Sequence, residues 1–499
     1  MNKNTKLMIG AAIACLALII LVSFTLAYSG RDVTLLKDRT LHMSVNGYQI
    51  EIPLDKDGQT YDVPCLTTES DNIFVLLEDA GADIKVEGTT LKTGRKAKVG
   101  ISGISANNTL SVTVTSSKDT RTIYLRTYSS LLPKVRATGQ SAADGHYYVT
   151  EADKPVLYKM DKNGNITYYV ALSGDANKGK VFTDFQKHVL ENGTVRYSYN
   201  VTYPDLDKLG ISDYYPGMRV VLDENMEEIA NKAGGITRYN KDEAIVAKNP
   251  GDPVDGHGFI MLADDHYLTE SYSTEKVTNV PAGLAPASDG ATVAVAVIQE
   301  VNGNKVSFQW KSTDYPELYA MSTAGNNYSS ADIQDYLHIN AMVLDPNDKN
   351  LIVSFKNANA IVEISRTDGK ILWVLGGNQD QFGLSDDQKF SGQSDVEIAS
   401  DGSLVITQSD RILVMKLDET NKKVSAFNAY PTGASLGKYG SAQLVSADKK
   451  VIGMGAGVSG AQTGISEKNF TDNKTGLVVT YPNGVAIYRA KWSDTTGEK

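Results

Sequence analysis

The sequence predicts an all-β protein: a six-bladed β-propeller preceded by a small β-sandwich and an N-terminal membrane segment. Three observations predict it. Beyond residue 135 no amphipathic helical period of any length is present. In its place a unit of about four short strands with polar turns recurs, with starts near His146, His188, His257, His338, Ser394 and Ser441. Ahead of it, between about residues 40 and 130, runs such as "YQIEIPL", "NIFVLLED", "LSVTVTSS" and "RTIYLRTY" alternate with Gly, Asn and Asp, the pattern of a small all-β sandwich.

The composition allows this architecture. The 499 residues are 41% hydrophobic and 22% charged, enough for a sizeable core. The net charge is −10, from 49 basic and 59 acidic residues, and no basic block is present, so nucleic acid is excluded as a partner.

Residues 1–30 read as a cytoplasmic tail with a membrane anchor or signal. Lys3 and Lys6 precede Leu7–Ala27, 21 residues without a charge, and Arg31 follows. That length spans a bilayer as a helix and exceeds the usual apolar core of a cleaved signal peptide. Cleavage after Ala27 is the alternative, giving a secreted protein. Either way the rest of the chain is expected outside the cytoplasm, as a single-pass cell-membrane protein in the anchored case. Cys15 lies in the apolar run, which leaves Cys65 alone beyond it. One cysteine makes no intramolecular disulfide and no cysteine-based metal site, so no metal is expected and the core alone must hold the fold.

Residues 31–132 form the expected sandwich, with "SSLLPKV" at 129–135 as its exit, and residues 133–499 the propeller. The first strand of a blade lines the central channel, so the histidines at blade starts, His257 and His338 above all, are placed there. The longest insertions between strands fall at 203–219 and 311–336.

Several familiar motifs fail. "GAGVSG" at 455–460 has the spacing of a dinucleotide fingerprint, but no helix follows. "DKNGN" at 161–165 has Leu172 where a calcium loop needs its last glutamate, and reads as a turn. "LGKYG" at 436–440 lacks the spacing of a phosphate loop.

Residues 338–377, "HINAMVLDPNDKNLIVSFKNANAIVEISRTDGKILWVLGG", are more specific. They resemble the central signature of the bacterial arylsulfate sulfotransferases: a His-x-Asn start, an S-x-R step and a G-K-x-x-W-x-L-G-G ending. Here those elements are His338 to Asn340, Ser354-Phe355-Lys356, and Gly369 to Gly377. "GHGFIMLADDHYL" from Gly256, "FSGQSDVEIASDGSLVI" from Phe390, and "GSAQLVSADKKVIGMG" with "YRA" at 488–490 are similar to further blades of that family. The N-terminal sandwich fits it as well.

The resemblance implies sulfuryl transfer from a phenolic sulfate ester to a phenol through a sulfo-histidine, with no nucleotide sulfate donor and no cofactor. Its partners are then an aromatic sulfate and a phenol acceptor, and a homodimer is among the assemblies it allows. It implies catalytic roles for His257, His338 and Lys356, the last standing where the family has arginine. Lys356 keeps the charge and loses the two-point grip. Asn340 and Ser394 are the implied substrate-binding positions. Ser394 falls where the family has its nucleophilic histidine, and no histidine follows His338. A serine sulfate would be a poor donor, because an alkoxide leaves far less readily than imidazole, and "SDVEI" lacks the Pro and Arg that formylglycine conversion needs.

Three readings result. One is a sulfotransferase using His257 or His338 as nucleophile, or transferring directly between bound donor and acceptor. Another is a pseudoenzyme, a surface propeller that binds an aromatic or anionic ligand. The third is a quinone-cofactor propeller, which "TDGKILWVLGG" also resembles, though Trp310, Trp373 and Trp492 do not recur in every blade. Ser394→His is expected to restore transfer if the serine leaves an unfilled polar gap, with Lys356→Arg adding to it, and to cost stability if it does not.

Overall fold

A computed structural model of the chain describes residues 36, 39–45, 48–62, 72–77, 83–86, 89–91, 97–100, 109–116, 119–126, 132–133, 135–172, 175–229, 245–246, 249–250, 254–303, 305–432, 435–446, 451–455 and 464–498. The expected membrane segment and both cysteines lie outside these residues, as does most of "GAGVSG". Among the described residues no helix is long and apolar enough to cross a membrane. They fold as strands joined by turns and short 3-10 segments, in two compact units: one within Met1–Lys134 with Asn165–Tyr168, the other Val135–Gly164 with Tyr169–Lys499.

The first unit has two sheets. One is antiparallel, in the order 48–53, 40–45, 72–77, 97–100. The other runs 60–62, 120–126, 109–115, 83–86, 89–91, with Thr60–Asp62 parallel to Thr120–Arg126.

The second unit is a six-bladed propeller. Five innermost strands open their blades in sequence: Val181–Val189, Phe259–Ala263, Ile339–Leu344, Asp395–Ile398 and Ser441–Leu444. The sixth is the late strand Ile487–Asp494, which pairs with Gly145–Glu151 to complete the first blade. Arg136–Thr138 in turn adds an outer strand to the last blade, against Thr480 to Val478. The ring is therefore closed at both its inner and outer edges.

Two expected channel positions are corrected. His146 sits on Gly145–Glu151, displaced to second place because Ile487–Asp494 holds the inner position. His188 does lie on an innermost strand, but near its C-terminal end, away from the strand starts.

The blade of residues 339–376 shows why these sequences become inner strands. "LIVSF" and "AIVEI" are buried throughout, because neighbouring blades cover both faces and alternation is not needed. Ile339, Leu351, Val353, Phe355, Val362 and Ile364 join one core with Leu268, Val295 and Trp310 of the preceding blade. "DKNGN" is a turn: Gly164 takes φ 78° and donates its N–H to Asp161 O at 2.9 Å.

Candidate functional site

Residues at the N-terminal ends of five innermost strands converge on one small cavity. His257, His338 with Asn340, Ser394, Tyr439, and Tyr488 with Arg489 line it, joined by Lys356, Lys438 and Asp213. All five sequence-predicted site residues are thus brought together. The cavity volume is about 10 Å³, the room of about one water. That is far below the usual size for a small-molecule site, so a substrate group enters only as the walls part. A larger cavity of about 410 Å³ adjoins it, sharing Asp213, Lys438 and Tyr439 and lined further by Tyr203, Tyr214, Tyr215 and Lys208.

Two histidines face each other with ring centroids 6.0 Å apart, each held by a carboxylate. His257 Nδ1 lies 2.5 Å from Asp255 Oδ2, and Asp255 Oδ1 also accepts the Tyr215 N–H at 3.0 Å. Burial pulls His257 below its ordinary range, helped by the positive Arg489 and by His338 and opposed by Asp255. Burial works the other way on Asp255, but the bonds from His257 and from the Tyr215 and Gly256 N–H groups outweigh it and keep the carboxyl low. Asp255 is therefore an acceptor, and His257 donates from Nδ1.

His338 Nδ1 lies 2.7 Å from Asp335 Oδ2. A carboxylate accepts, so Nδ1 carries a hydrogen, and in the neutral imidazole the lone pair is then on Nε2. That Nε2 is buried and, among the described residues, has no hydrogen-bond partner. The Tyr272 ring stacks on the imidazole at 5.9 Å and fixes its plane. The backbone of His338 has φ 55°, the left-handed region. A non-glycine residue held there costs roughly 1–3 kcal/mol and persists only where its surroundings impose it. Here they do, because the Lys356 N–H donates to His338 O at 2.9 Å and the Asn357 N–H to Leu337 O at 2.8 Å. The same bonds place the start of the Lys356 side chain beside the imidazole.

Ser394 is arranged differently. Its hydroxyl donates to Gly440 O at 2.7 Å and its N–H to Thr407 O at 2.9 Å, so the hydroxyl hydrogen goes to backbone and not to a histidine of the cavity. It is committed to structure. Asn340 donates its amide to Gln393 O, while its Oδ1 is buried without a partner. Arg489 sits at the hub, donating to the backbone carbonyls of His257, Asn340 and Ser394 and so linking four blades.

Lys356 donates to Asp213 Oδ2 at 3.2 Å and Lys438 to Asp213 Oδ1 at 2.7 Å. Burial would raise the Asp213 carboxyl, but the two ammonium groups bring it down to about 2. Tyr488 packs edge-on against Tyr215 and at a tilt against Tyr439 and His257, and its buried hydroxyl has no hydrogen-bond partner among the described residues.

Sequence reasoning missed Asp213, Tyr215, Asp255, Asp335, Lys438, Tyr439, Tyr488 and Arg489. Signals existed for several: Asp213 and Tyr215 come from the 203–219 insertion and Asp335 from that at 311–336, while "LGKYG" and "YRA" contain the rest of the wall. Among the described residues, two groups bring three metal-ligating side chains close enough to share an ion: Asp255, His257 and Glu270 here, and Asp345, Asp348 and Glu363 elsewhere in the propeller. The first is already closed by the short Asp255–His257 bond.

Residues 218–456 match the family model described as Arylsulfotransferase (ASST). No curated protein matches the chain. Solved structures similar to it include a protein of unknown function from Bacteroides caccae (11% identity, 70% of this chain and 99% of that one, TM-score 0.39). Others are the periplasmic gluconolactonase of Pseudomonas aeruginosa (10%, 67% and 81%, TM-score 0.35) and AztD from Citrobacter koseri (10%, 70% and 99%, TM-score 0.32). At these scores the likeness carries no statement about chemistry.

Proposed function

Because the chain belongs to the arylsulfotransferase family, we propose that it transfers a sulfuryl group from a phenolic sulfate ester to a phenol, with His338 as nucleophile in place of the missing histidine at Ser394. The observation that carries this reading is the bare Nε2 of His338, buried in the shared cavity while its Nδ1–H is held by Asp335. That is the nucleophile–orienter arrangement that group-transfer sites use.

In the first half-reaction the Nε2 lone pair forms an N–S bond as the S–O bond to the aryl group breaks, and the electron pair leaves with the phenolate. In the second, the acceptor's oxygen attacks the same sulfur, the N–S bond breaks, and His338 regains its lone pair. His257 Nε2 takes the acceptor's proton, Asp255 holds the resulting imidazolium, and the proton passes to the next departing phenolate. Lys356 and the Arg489 guanidinium supply positive charge where the equatorial oxygens gain negative charge. The small cavity widens to take the sulfuryl group, and the aryl rings extend into the tyrosine-lined space beside it.

A second reading is supported by Asp213. It already occupies both lysines, as a ligand anion would, which fits a propeller that binds an aromatic or anionic ligand without turning it over. Turnover of p-nitrophenyl sulfate with a phenol acceptor separates the two. Acceptor-dependent release of p-nitrophenol supports transfer, and its absence with retained ligand binding supports the binding module. We also read Leu7–Ala27 as an anchor that holds the propeller outside the cytoplasmic membrane. Protease added to spheroplasts should then remove the propeller, and a protected propeller rejects that placement.

A further inference from the structure

We propose that Asp345, Asp348 and Glu363 form a calcium site at the far end of the hairpin that carries His338 and Lys356. The turn "DPNDKN" at 345–350 joins Ile339–Leu344 to Leu351–Phe355, and Glu363 stands on Ala360–Ile364 of the same blade. The three carboxylates each offer an oxygen within 4.8 Å of the others. Among the described residues no lysine or arginine forms an ion pair with any of them.

The cluster is built rather than incidental. Asp345 is 4% exposed and Glu363 1%, and Glu363 Oε1 is buried without a hydrogen-bond partner. A buried carboxylate oxygen without a donor, on a side chain set beside two further carboxylates, calls for a cation. Asp345 Oδ1 and Asp348 Oδ1 accept the N–H groups of Asn347 and Asn350 at 2.6 and 2.9 Å, which aims both carboxylates, and each oxygen keeps a lone pair. Asp348 is exposed and leaves one side open for water. Oxygen donors alone, with flexible carboxylates and an open side, suit calcium over zinc or copper. The expectation of no metal rests on the lack of cysteine ligands, and this site uses none.

The placement gives the ion a purpose. The two strands leaving the turn end at Lys356 on one side and begin at His338 on the other, so an ion at the turn fixes the hairpin that sets their spacing. The inference does not depend on the proposed chemistry, since it concerns another part of the blade.

The test uses the full chain washed with a chelator. Glu363 lies opposite Trp373 in the strand register, so their side chains share a face at roughly 5 Å. A terbium ion bound there should emit when tryptophan is excited, and calcium should displace it. Calcium alone should raise the unfolding temperature by several degrees. Asp348→Asn, at an exposed position that folding tolerates, should weaken both responses about tenfold through loss of ligand charge. Glu363→Gln should abolish the terbium signal. An unchanged unfolding temperature with no sensitised emission in the natural protein overturns the proposal. So does undiminished binding in both variants.

Discussion

Two hairpins of the propeller share topology and differ in chemistry. One begins at His338 and the other at Ser394. Each opens an innermost strand on the same cavity, and Arg489 donates to a carbonyl at each start, Asn340 O in one and Ser394 O in the other. Yet His338 keeps Nε2 bare, whereas the Ser394 hydroxyl is bonded to Gly440 O. Position in the blade brings a side chain to the site, but the partners it already has decide whether it can react. A nucleophile is read from an unengaged lone pair rather than from an aligned position.

The comparison breaks if His338→Ala retains turnover. Removing the group that forms the covalent bond should lower kcat for an aryl sulfate by on the order of 10³-fold or more, with folding checked by circular dichroism. Asp335→Asn keeps the shape but no longer holds the Nδ1–H tautomer, and should cost about 10²-fold or more in kcat with a smaller change in KM.

His188 sharpens the contrast, because it is a histidine whose ring is fully engaged, with Nε2 2.8 Å from Ser198 Oγ. Burial first, and then Arg219, pull it from 6.5 to about 3. The unfolded chain therefore binds a proton that the folded one does not between these values. The stability is present above 6.5 and is lost as pH falls through the window. By pH 4 the loss should be roughly 3 kcal/mol, seen in denaturant midpoints and blunted in His188→Gln.

The smallest effects belong to the other hairpin. Ser394→His, expected to restore transfer if a polar gap surrounds the serine, meets a side chain 3% exposed and bonded to backbone. It should cost about 1–3 kcal/mol by overpacking and add no activity. Ser394→Ala should cost about 1 kcal/mol through the unsatisfied Gly440 carbonyl and leave kcat within about threefold. A large loss of kcat with stability intact would return the serine to the reaction.

Much of the propeller was legible because each blade repeats apolar strands and polar turns, and because "HINAMVLDPNDKNLIVSF" and "GHGFIMLADDHYL" place their histidines just before a strand. The ring closure was not, since nothing local in "VAIYRAKWSD" says that its partner is some 340 residues earlier, at Tyr147 and Tyr148. His146 was misplaced for that reason. Asp335 and Asp213 were hard to single out for another: the insertions that carry them were visible but have no periodicity, and a carboxylate in a loop is ordinarily solvated. Only the tertiary path brings Asp335 under an imidazole three residues on and Asp213 between two lysines 143 and 225 residues away.

Arg489 has a consequence for biosynthesis. Its guanidinium answers the carbonyls of His257, Asn340 and Ser394, made 232, 149 and 95 residues before it. A nascent chain on the ribosome can therefore hold five innermost strands and still lack the hub of the pocket. During that interval the first blade has no inner strand and exposes the open edge of Gly145–Glu151, a template for pairing with another chain. Closing so long a loop is also slow. The reactive cavity comes into being only as the ring shuts, so an incomplete product of translation carries neither the site nor its unengaged histidine nitrogen in working form.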